Sequence, residues 1–436
     1  MANTYLTRNQ TNGNQDKWTF SGWVKRSKLG AAQCIFATSN GSTTSFDAKF
    51  DSSDRIDVYN YLSGGYGARL VTNRVFRDTN AWYHIVIVYD SGNSTEAQRL
   101  RIYVNGTEES SFSTTNYPSL NENSDLNVSG STLDIGRQQN GSQFFDGLMS
   151  HLHLSDGYAY APTVFGSTDS TTGEWKINTS PSITMGTNGF TILKDGNTIT
   201  DQSSNSNNFT SNGSGVTKTE DNPSNNFCTW NPLAPPTTAP TFSNGNTTAA
   251  IPNSGGRFRS SFGLSSGKYY CEVKINSLNA AIIGISPIDS SAYTGIFSDT
   301  SGIGLYGTLG SIYKNGSNIG SIASVANGDI VGMAIDLDNN NIYFSKNGQY
   351  GSGLNGSWNQ NFAGAYGVAI NSGHFYAITG QNGGSGTSSN ISMNFGNGYF
   401  GTTAVSSAGT NASGLGIFEY DVPTGYTALC TKGLNL

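Results

Sequence analysis

Short apolar runs, each closed by Gly, Asn, Asp or Ser, fill this chain almost from end to end. No window carries the i, i+3, i+4, i+7 apolar stripe of an amphipathic helix, and short runs with regular turn punctuation specify an all-β sandwich or barrel. "WTFSGWVKR" shows the period of two, with Trp18, Phe20, Gly22 and Val24 on one face and Thr19, Ser21, Trp23 and Lys25 on the other. That is a half-buried strand. "AWYHIVIVYD" is nearly continuous apolar, as expected of a central strand covered on both faces. "RLRIYVNG" alternates again, with Leu100, Ile102 and Val104 inward and Arg99, Arg101 and Tyr103 outward. It ends on Asn105-Gly106, residues that accept the positive φ of a tight hairpin turn. "NNNIYFSKNGQY", residues 339–350, repeats this punctuation, but the two halves of the chain do not align beyond their turns. The reading is two different β-domains that share one hairpin chemistry.

The division is expected near residues 200–250, which are polar and then proline-rich, with Pro232, Pro235, Pro236 and Pro240 close together. Such a segment cannot donate to a ladder and stiffens into an extended spacer. The boundaries drawn are a sandwich at 1–222, a proline-rich linker at 223–236 and a second sandwich at 237–436. The 436 residues suffice for two cores. Only 12% of residues are charged, yet 11% are aromatic, which a disordered chain would lack. The net charge of −6, without a Lys/Arg cluster, argues against nucleic acid and anionic membranes as partners. No apolar run reaches the ~18–20 residues of a membrane span, and the N-terminus lacks the pattern of a secretory signal. Synthesis in a cytosol is the expectation. Cys34, Cys228, Cys271 and Cys430 are too dispersed for a disulfide framework or a zinc site, and Cys271, in "KYYCEVKI", reads as a small core residue.

Several motifs imitate catalytic ones. "GLSSG", residues 263–267, has the form of an esterase elbow but runs straight into a strand instead of a helix. "GIGLYG", residues 302–307, lacks the helix that a dinucleotide site requires. "DLDNNN", residues 336–341, opens like a calcium loop, but Asn341 and Asn347 stand where Gly and Glu belong. His151 and His153 have a spacing zinc can use without an evident third ligand, and His84 reads as a hydrogen-bonded core histidine. Glu108-Glu109 are neighbours on a strand and face opposite ways, so they are not a glycosidase pair. No catalytic or metal-ligating residue is therefore assigned. Tyr59, Tyr61, Tyr66 and Trp358, with Asn and Asp around them, form the candidate binding set, since a sugar stacks its C–H face on a ring and bonds its hydroxyls to amides and carboxylates. Cross-strand tyrosine packing is the alternative for the three tyrosines.

"WTFSGWVKR", "WYHIVIVYD", "LRIYVNG", "LDIGR" and "FDGLMSHLHLSDGYAYAPTVFG" make the first half resemble laminin-G-like (concanavalin A-like) lectin sandwiches. "SSGKYYCEVKI", "IIGIS", "GDIVGMAIDLDNNNIYFSKNG" and "MNFGNGYF" make the second half resemble a SPRY domain, with Cys271 where that family often has Trp and an insertion at 401–418. The pairing, with "DNPSNNFCTWNPL" and "YDVPTGYTALCTK", is similar to virion structural proteins of marine tailed bacteriophages. The resemblance implies two antiparallel β-sandwiches in a non-enzymatic phage structural protein. It would be a tail-associated or surface-exposed adhesin, binding host cell-surface polysaccharide through rim loops. The alternative is a scaffold or decoration subunit that contacts other virion proteins without sugar affinity. It implies no cofactor; calcium occurs among laminin-G-like relatives, but no motif supports it here. Homo-oligomers are common among fibres.

Overall fold

The computed structural model describes residues 3–39, 43–194, 196, 198–233, 240–253, 256–288, 296, 301–382 and 388–435. The chain forms two compact units, Met1–Lys218 and Thr219–Leu436. Both are built from antiparallel sheets, and the helical segments described are single 3-10 turns such as Pro162–Val164.

In the first unit the strands are β1 (Tyr5–Asn9), β2 (Lys17–Arg26), β3 (Gln33–Ser39), β4 (Thr44–Phe50), β5 (Arg55–Leu62), β6 (Gly65–Val75), β7 (Trp82–Asp90) and β8 (Leu100–Val104). They continue with β9 (Thr107–Glu108), β10 (Phe112–Asn116), β11 (Thr132–Ile135), β12 (Gly147–Asp156), β13 (Gly166–Thr168), β14 (Trp175–Ile177), β15 (Phe190–Ile192) and β16 (Thr210–Asn212). An eight-stranded sheet runs β10-β6-β5-β4-β3-β11-β1-β16, and a six-stranded sheet runs β15-β12-β2-β7-β8-β9. Their inner faces share one core, which includes Phe46, Val58 and Leu70 from the first sheet and Trp18, Phe20 and Ile87 from the second. Trp18 stands edge-on to Phe46 at 4.8 Å and stacks on Tyr89 at 5.5 Å, so large rings interlock across the sandwich.

The two faces of β2 separate as the alternation dictates, but the outer one is covered as well. Trp23, Ser21 and Lys25, on the face of β2 opposite the core, are buried instead of half-exposed. After β12 the chain turns back, and Tyr160, Val164 and Phe165 pack over Val86, Val88 and Tyr103. Apolar Val86 and Val88 of the continuous run "HIVIV" demand such a cover, because a second apolar face cannot stay in water cheaply.

The second unit is also a two-sheet body. Lys268–Ser277 pairs with Ile330–Asp336 and Ser389–Asn394 in one sheet, and Ala281–Pro287 pairs with Tyr376–Asn382 in the other. Of the stretch read as a spacer, 223–236, the described residues 223–233 enter this unit instead. Phe227 bridges to Cys430, and Trp230 is fully buried against Phe258 at 4.6 Å and Phe395 at 5.6 Å. Prolines flag the segment as non-strand, but the apolar "FCTW" just before them has its own burial to achieve. Pro235 and Pro236 lie outside the described residues.

The recurrent Asn-Gly turns are one device used in both units. Asn105 and Gly106 have φ 49° and 80°, and Asn347 and Gly348 have φ 47° and 81°. Each Asn also ties the turn to the start of an adjoining strand. His84 donates its amide to Asn105 Oδ1 at 2.8 Å, and Ile330 donates to Asn347 Oδ1 at 2.9 Å.

Candidate functional site

The face of the eight-stranded sheet that points away from the core carries three of the four predicted binding residues. On β4, Phe46, Ala48 and Phe50 enter the core, which leaves Ser45, Asp47 and Lys49 on the opposite face. On β5, Ile56 and Val58 enter it, leaving Asp57, Tyr59 and Tyr61 outside. Register then places Asp47, Tyr59 and Arg69 side by side, with Lys49 opposite Asp57 and Tyr61 opposite both Ser45 and Tyr66.

Tyr66 is the exposed member, at 47% of its full accessibility. Its ring meets Tyr59 and Tyr61 edge-on, each at 5.4 Å, and the Arg69 guanidinium lies 4.6 Å from its centroid. Arg69 is itself held by a two-pronged bond to Asp57, at 3.0 and 2.9 Å, which neutralises its charge and fixes its plane. Asn116, on the edge strand β10, donates to the carbonyls of Tyr66 and Gly67. The exposed ring therefore rests on a rigid support.

Tyr59 belongs to that support. It is buried, and its hydroxyl donates to Asp47 Oδ2 at 2.5 Å. Gln138, from the segment after β11, donates to the same carboxylate oxygen at 2.6 Å and to the Tyr59 hydroxyl at 2.9 Å. Burial and the adjacent Asp47 charge push the Tyr59 phenol well up. Burial also raises the Asp47 carboxyl, against the donors Tyr59 and Gln138 that hold its charged form. Lys49 lies over the other part of the Tyr59 ring, 5.0 Å from its centroid. Cross-strand packing and a binding surface are thus the same arrangement here: two tyrosines pack so that a third is presented.

Trp358 lies in the second unit, apart from the tyrosine group. It is partly buried against that unit's core, and its indole N–H is taken by the Ala323 carbonyl at 2.5 Å. Asp47, Asp57, Arg69 and Gln138 were missed by sequence reasoning. The signal available was the alternation itself, which puts Asp47 and Asp57 on the same face as the tyrosines.

Among the described residues, no group of three His, Cys, Asp or Glu side chains is placed to hold a metal ion. His84 is buried, and its Nε2 lies 2.9 Å from Ser21 Oγ, a distance suited to a nucleophile and its base. The Trp175 indole, which can only donate, points at His84 Nδ1 at 3.0 Å. Nδ1 is therefore the acceptor, the ring proton sits on Nε2, and His84 donates to Ser21 instead of activating it. Burial drives the His84 pKa down to about 3, so the ring stays neutral. His151 and His153 are separated by a bulge in the pairing of β12 with β2, and His151 has φ 50°, which breaks the alternation that would align them. His153 is buried with Nδ1 2.9 Å from Thr191 Oγ1. Leu264 of "GLSSG" bridges to Tyr376 just before a strand, and Ile303–Tyr306 of "GIGLYG" is itself a strand.

Among known proteins, residues 1–164 match the family model Laminin_G_3, described as the concanavalin A-like lectin/glucanases superfamily. No curated protein matches the chain. Among solved structures, the SPRY domain of human HERC1 is 16% identical, with a TM-score of 0.30 over 38% of this chain and 96% of that one. The TRIM65 PSpry domain is 12% identical, with a TM-score of 0.29 over 38% of this chain and 91% of that one. The native heptameric SAP-like pentraxin from Limulus polyphemus is 17% identical, with a TM-score of 0.28 over 36% of this chain and 71% of that one. Likenesses this distant carry no functional argument. The family match falls on the unit that presents Tyr66 and ends before β13, within a lectin-containing superfamily.

Proposed function

We propose that this chain is a non-enzymatic binding protein whose first unit takes a glycan on the outer face of the eight-stranded sheet. Its setting is that of a surface-exposed or tail-associated adhesin of a phage particle, with host cell-surface polysaccharide as ligand. The observation that carries the glycan reading is the exposed Tyr66 ring, stiffened by Tyr59, Tyr61 and Arg69. A preordered ring loses little entropy when a sugar stacks on it. The nearby carboxylates are ill-suited to glycoside hydrolysis: Asp47 is roofed by Tyr59 and Gln138, and Asp57 is committed to Arg69. Host polysaccharide arrays with the full chain and with Tyr66→Ala test this. The expected result is binding that weakens about tenfold or more in the variant, from the loss of ~1.4 kcal/mol of stacking. Undiminished binding by Tyr66→Ala removes this face from the site.

A second reading, a scaffold or decoration subunit, is favoured by β10. It is an edge strand of sequence FSTTN, exposed along most of its length and without a charge. Such an edge accepts an added strand from a neighbouring virion protein. Replacing Thr114 with Lys would put a charge on that exposed edge and disfavour strand addition while keeping the Asn116 bonds under Tyr66, so loss of particle incorporation with sugar binding intact selects this reading.

A further inference from the structure

We propose that residues 406–421 are a flap over the outer face of the second unit's ten-stranded sheet, held down by the Glu272 carboxylate and released as pH rises. The flap keeps its own shape. Gly409 donates its amide to the Phe418 carbonyl at 2.9 Å, and Val422 to the Thr410 carbonyl at 2.8 Å. The amide and hydroxyl of Ser406 both donate to the Glu419 carboxylate, and those of Thr410 to Asp421 Oδ1. Between 406 and 421 only Phe418 is buried, so little apolar surface holds the segment in place. Its main attachments are these. Glu272 Oε2 accepts the Glu419 amide and Oε1 the Tyr420 amide, each at 2.9 Å. Phe418 stands edge-on to Tyr270 at 5.1 Å, and the Tyr420 ring lies against Gly348. Ile417 donates its amide to the Gly396 carbonyl and accepts from Asn394 Nδ2, both at 2.9 Å.

The carboxylate that holds the flap has neutral partners. Glu272, Gly332, Ser345 and Tyr350 are successive register partners across the sheet, with Asn394 on the other side of Glu272. Cys271, Val273, Met333 and Phe344 enter the core, so alternation turns this row outward, under the flap. A methyl group at Gly332 would lie 2.4 Å from Ser345 Oγ and 2.7 Å from the Tyr270 hydroxyl, so the glycine leaves the row its space. Tyr270 donates to Glu272 Oε1 at 3.2 Å and Asn394 to Oε2 at 3.4 Å. On the same strand Lys274 is half-exposed, two residues along the same face. The phenols of Tyr270, Tyr350 and Tyr420 are each raised by burial first and by the Glu272 charge after it. From the flap, Glu419 is engaged by Ser406, and Asp421 is held low by the Thr410 amide, so it stays ionised. An ionised carboxylate buried among neutral donors is costly, and burial raises Glu272 to about 7 in spite of the flap amides. With the flap lifted Glu272 meets water and titrates in the ordinary carboxylate range. Closure therefore takes up a proton between that range and pH 7. The closed form is favoured below, loses ground as pH rises, and stays at a constant level once both forms are ionised. The opening constant climbs about tenfold per pH unit, about 300-fold in all.

The inference does not depend on glycan binding, and its test uses no sugar. The full chain is exchanged into deuterated water between about pH 5 and 8, and peptides from 406–421 are compared with those from the core strand Ile330–Asp336. The expected flap protection, corrected for intrinsic exchange, falls about tenfold per pH unit up to about 7 and then levels, and it is lower than that of the core strand throughout. In Glu272→Gln the slope disappears. Phe418→Ala loosens the flap without touching the carboxylate, so exchange is at least about tenfold faster with the slope kept. A slope that persists in Glu272→Gln, protection that is flat or rises with pH in the unaltered chain, or an unchanged rate in Phe418→Ala overturns the proposal. So does a flap that exchanges no sooner than Ile330–Asp336, since it then opens only when the whole unit unfolds. If Glu272→Gln does not fold, the unaltered chain and Phe418→Ala still decide it.

Discussion

Replacing Asp54 with Ala tests how the first unit is held together at one end. Asp54 has φ 66°, a conformation that Asp and Asn tolerate and Ala resists. One carboxylate oxygen accepts from Arg26 Nη2 at 3.0 Å and from the Gly30 amide at 2.8 Å. The other accepts from Arg77 Nε at 3.0 Å. Arg26 is fully buried, donates to the Phe76 carbonyl at 2.7 Å and lies 4.3 Å from the Phe50 ring centroid. Removing the carboxylate strands a buried guanidinium, a loss of about 3–5 kcal/mol, and the left-handed backbone adds about 1 kcal/mol. For a unit of this size that is a fall of roughly 10–20 °C in its melting transition. Asp54→Asn keeps the backbone preference and should lose less. Arg26→Met with Asp54→Ala should be more stable than Asp54→Ala alone, since no unpaired charge remains. Urea unfolding of these three variants, of Arg26→Met alone and of the unaltered chain measures this. A loss below ~1 kcal/mol for Asp54→Ala, or strict additivity in the double variant, would refute the account. The sign with pH is also set. Burial works against the Asp54 charge, but Gly30, Arg77 and Arg26 outweigh it and lower the carboxyl. Its contribution is therefore present above the ordinary carboxylate range and lost as pH falls through it.

Other outcomes follow from single contacts. A methyl group at Gly348 would sit 2.7 Å from the Tyr420 ring at φ 81°, so Gly348→Ala should cost about 2–3 kcal/mol, read as a lower urea midpoint at constant slope. Glu272 is fully buried and its pKa is raised to about 7, burial outweighing the amides of Glu419 and Tyr420 that bond to it. A raised carboxyl pKa means stability that is full below the ordinary value and lost as pH rises toward 7, on the order of 3 kcal/mol, with the slope absent in Glu272→Gln. A stability of the second unit that is flat between pH 4.5 and 7, or that climbs, contradicts that assignment. In nitrogen-15 spectra His84 should appear as the neutral Nε2–H form, and Trp175→Phe should release that preference; an Nδ1–H signal in the unaltered protein contradicts the geometry.

The strand pattern was readable because side-chain alternation is a local property. Trp18, Phe20 and Val24 had to share a face once β2 was extended, and the positive φ of Asn105-Gly106 and Asn347-Gly348 follows from residue chemistry alone. What covers the second face of a sheet is not local. Trp23 and Ser21 meet His84, and His84 is covered by Phe165 and Trp175 returning from far along the chain, a return that nothing within "WTFSGWVKR" encodes. The same limit applies to 223–236: the prolines were visible, but that Phe227 would bridge to Cys430 at the other end of the unit was not.

The site divides in the same way. Tyr59 and Tyr61 could be placed on one face from their spacing, and Tyr66 in a turn from its glycines. Which of the three is presented depends on partners from other strands. Asp47 and Gln138 draw the Tyr59 hydroxyl inward, and Arg69, locked by Asp57, props Tyr66 outward. All four partners are polar, and Asp47, Asp57 and Arg69 stand on strands that read as ordinary alternation. A buried Asp47 beside two tyrosines looks in sequence like a solvated position. Only the register that sets it against Tyr59, under Gln138, makes it structural. The other oxygen of that carboxylate, Oδ1, is left without a hydrogen-bond donor. Packing that buries Asp47 and packing that presents the Tyr66 ring therefore arise from one choice of strand alignment. A slip of one residue between β4 and β5 would turn Phe46 outward and dissolve both at once.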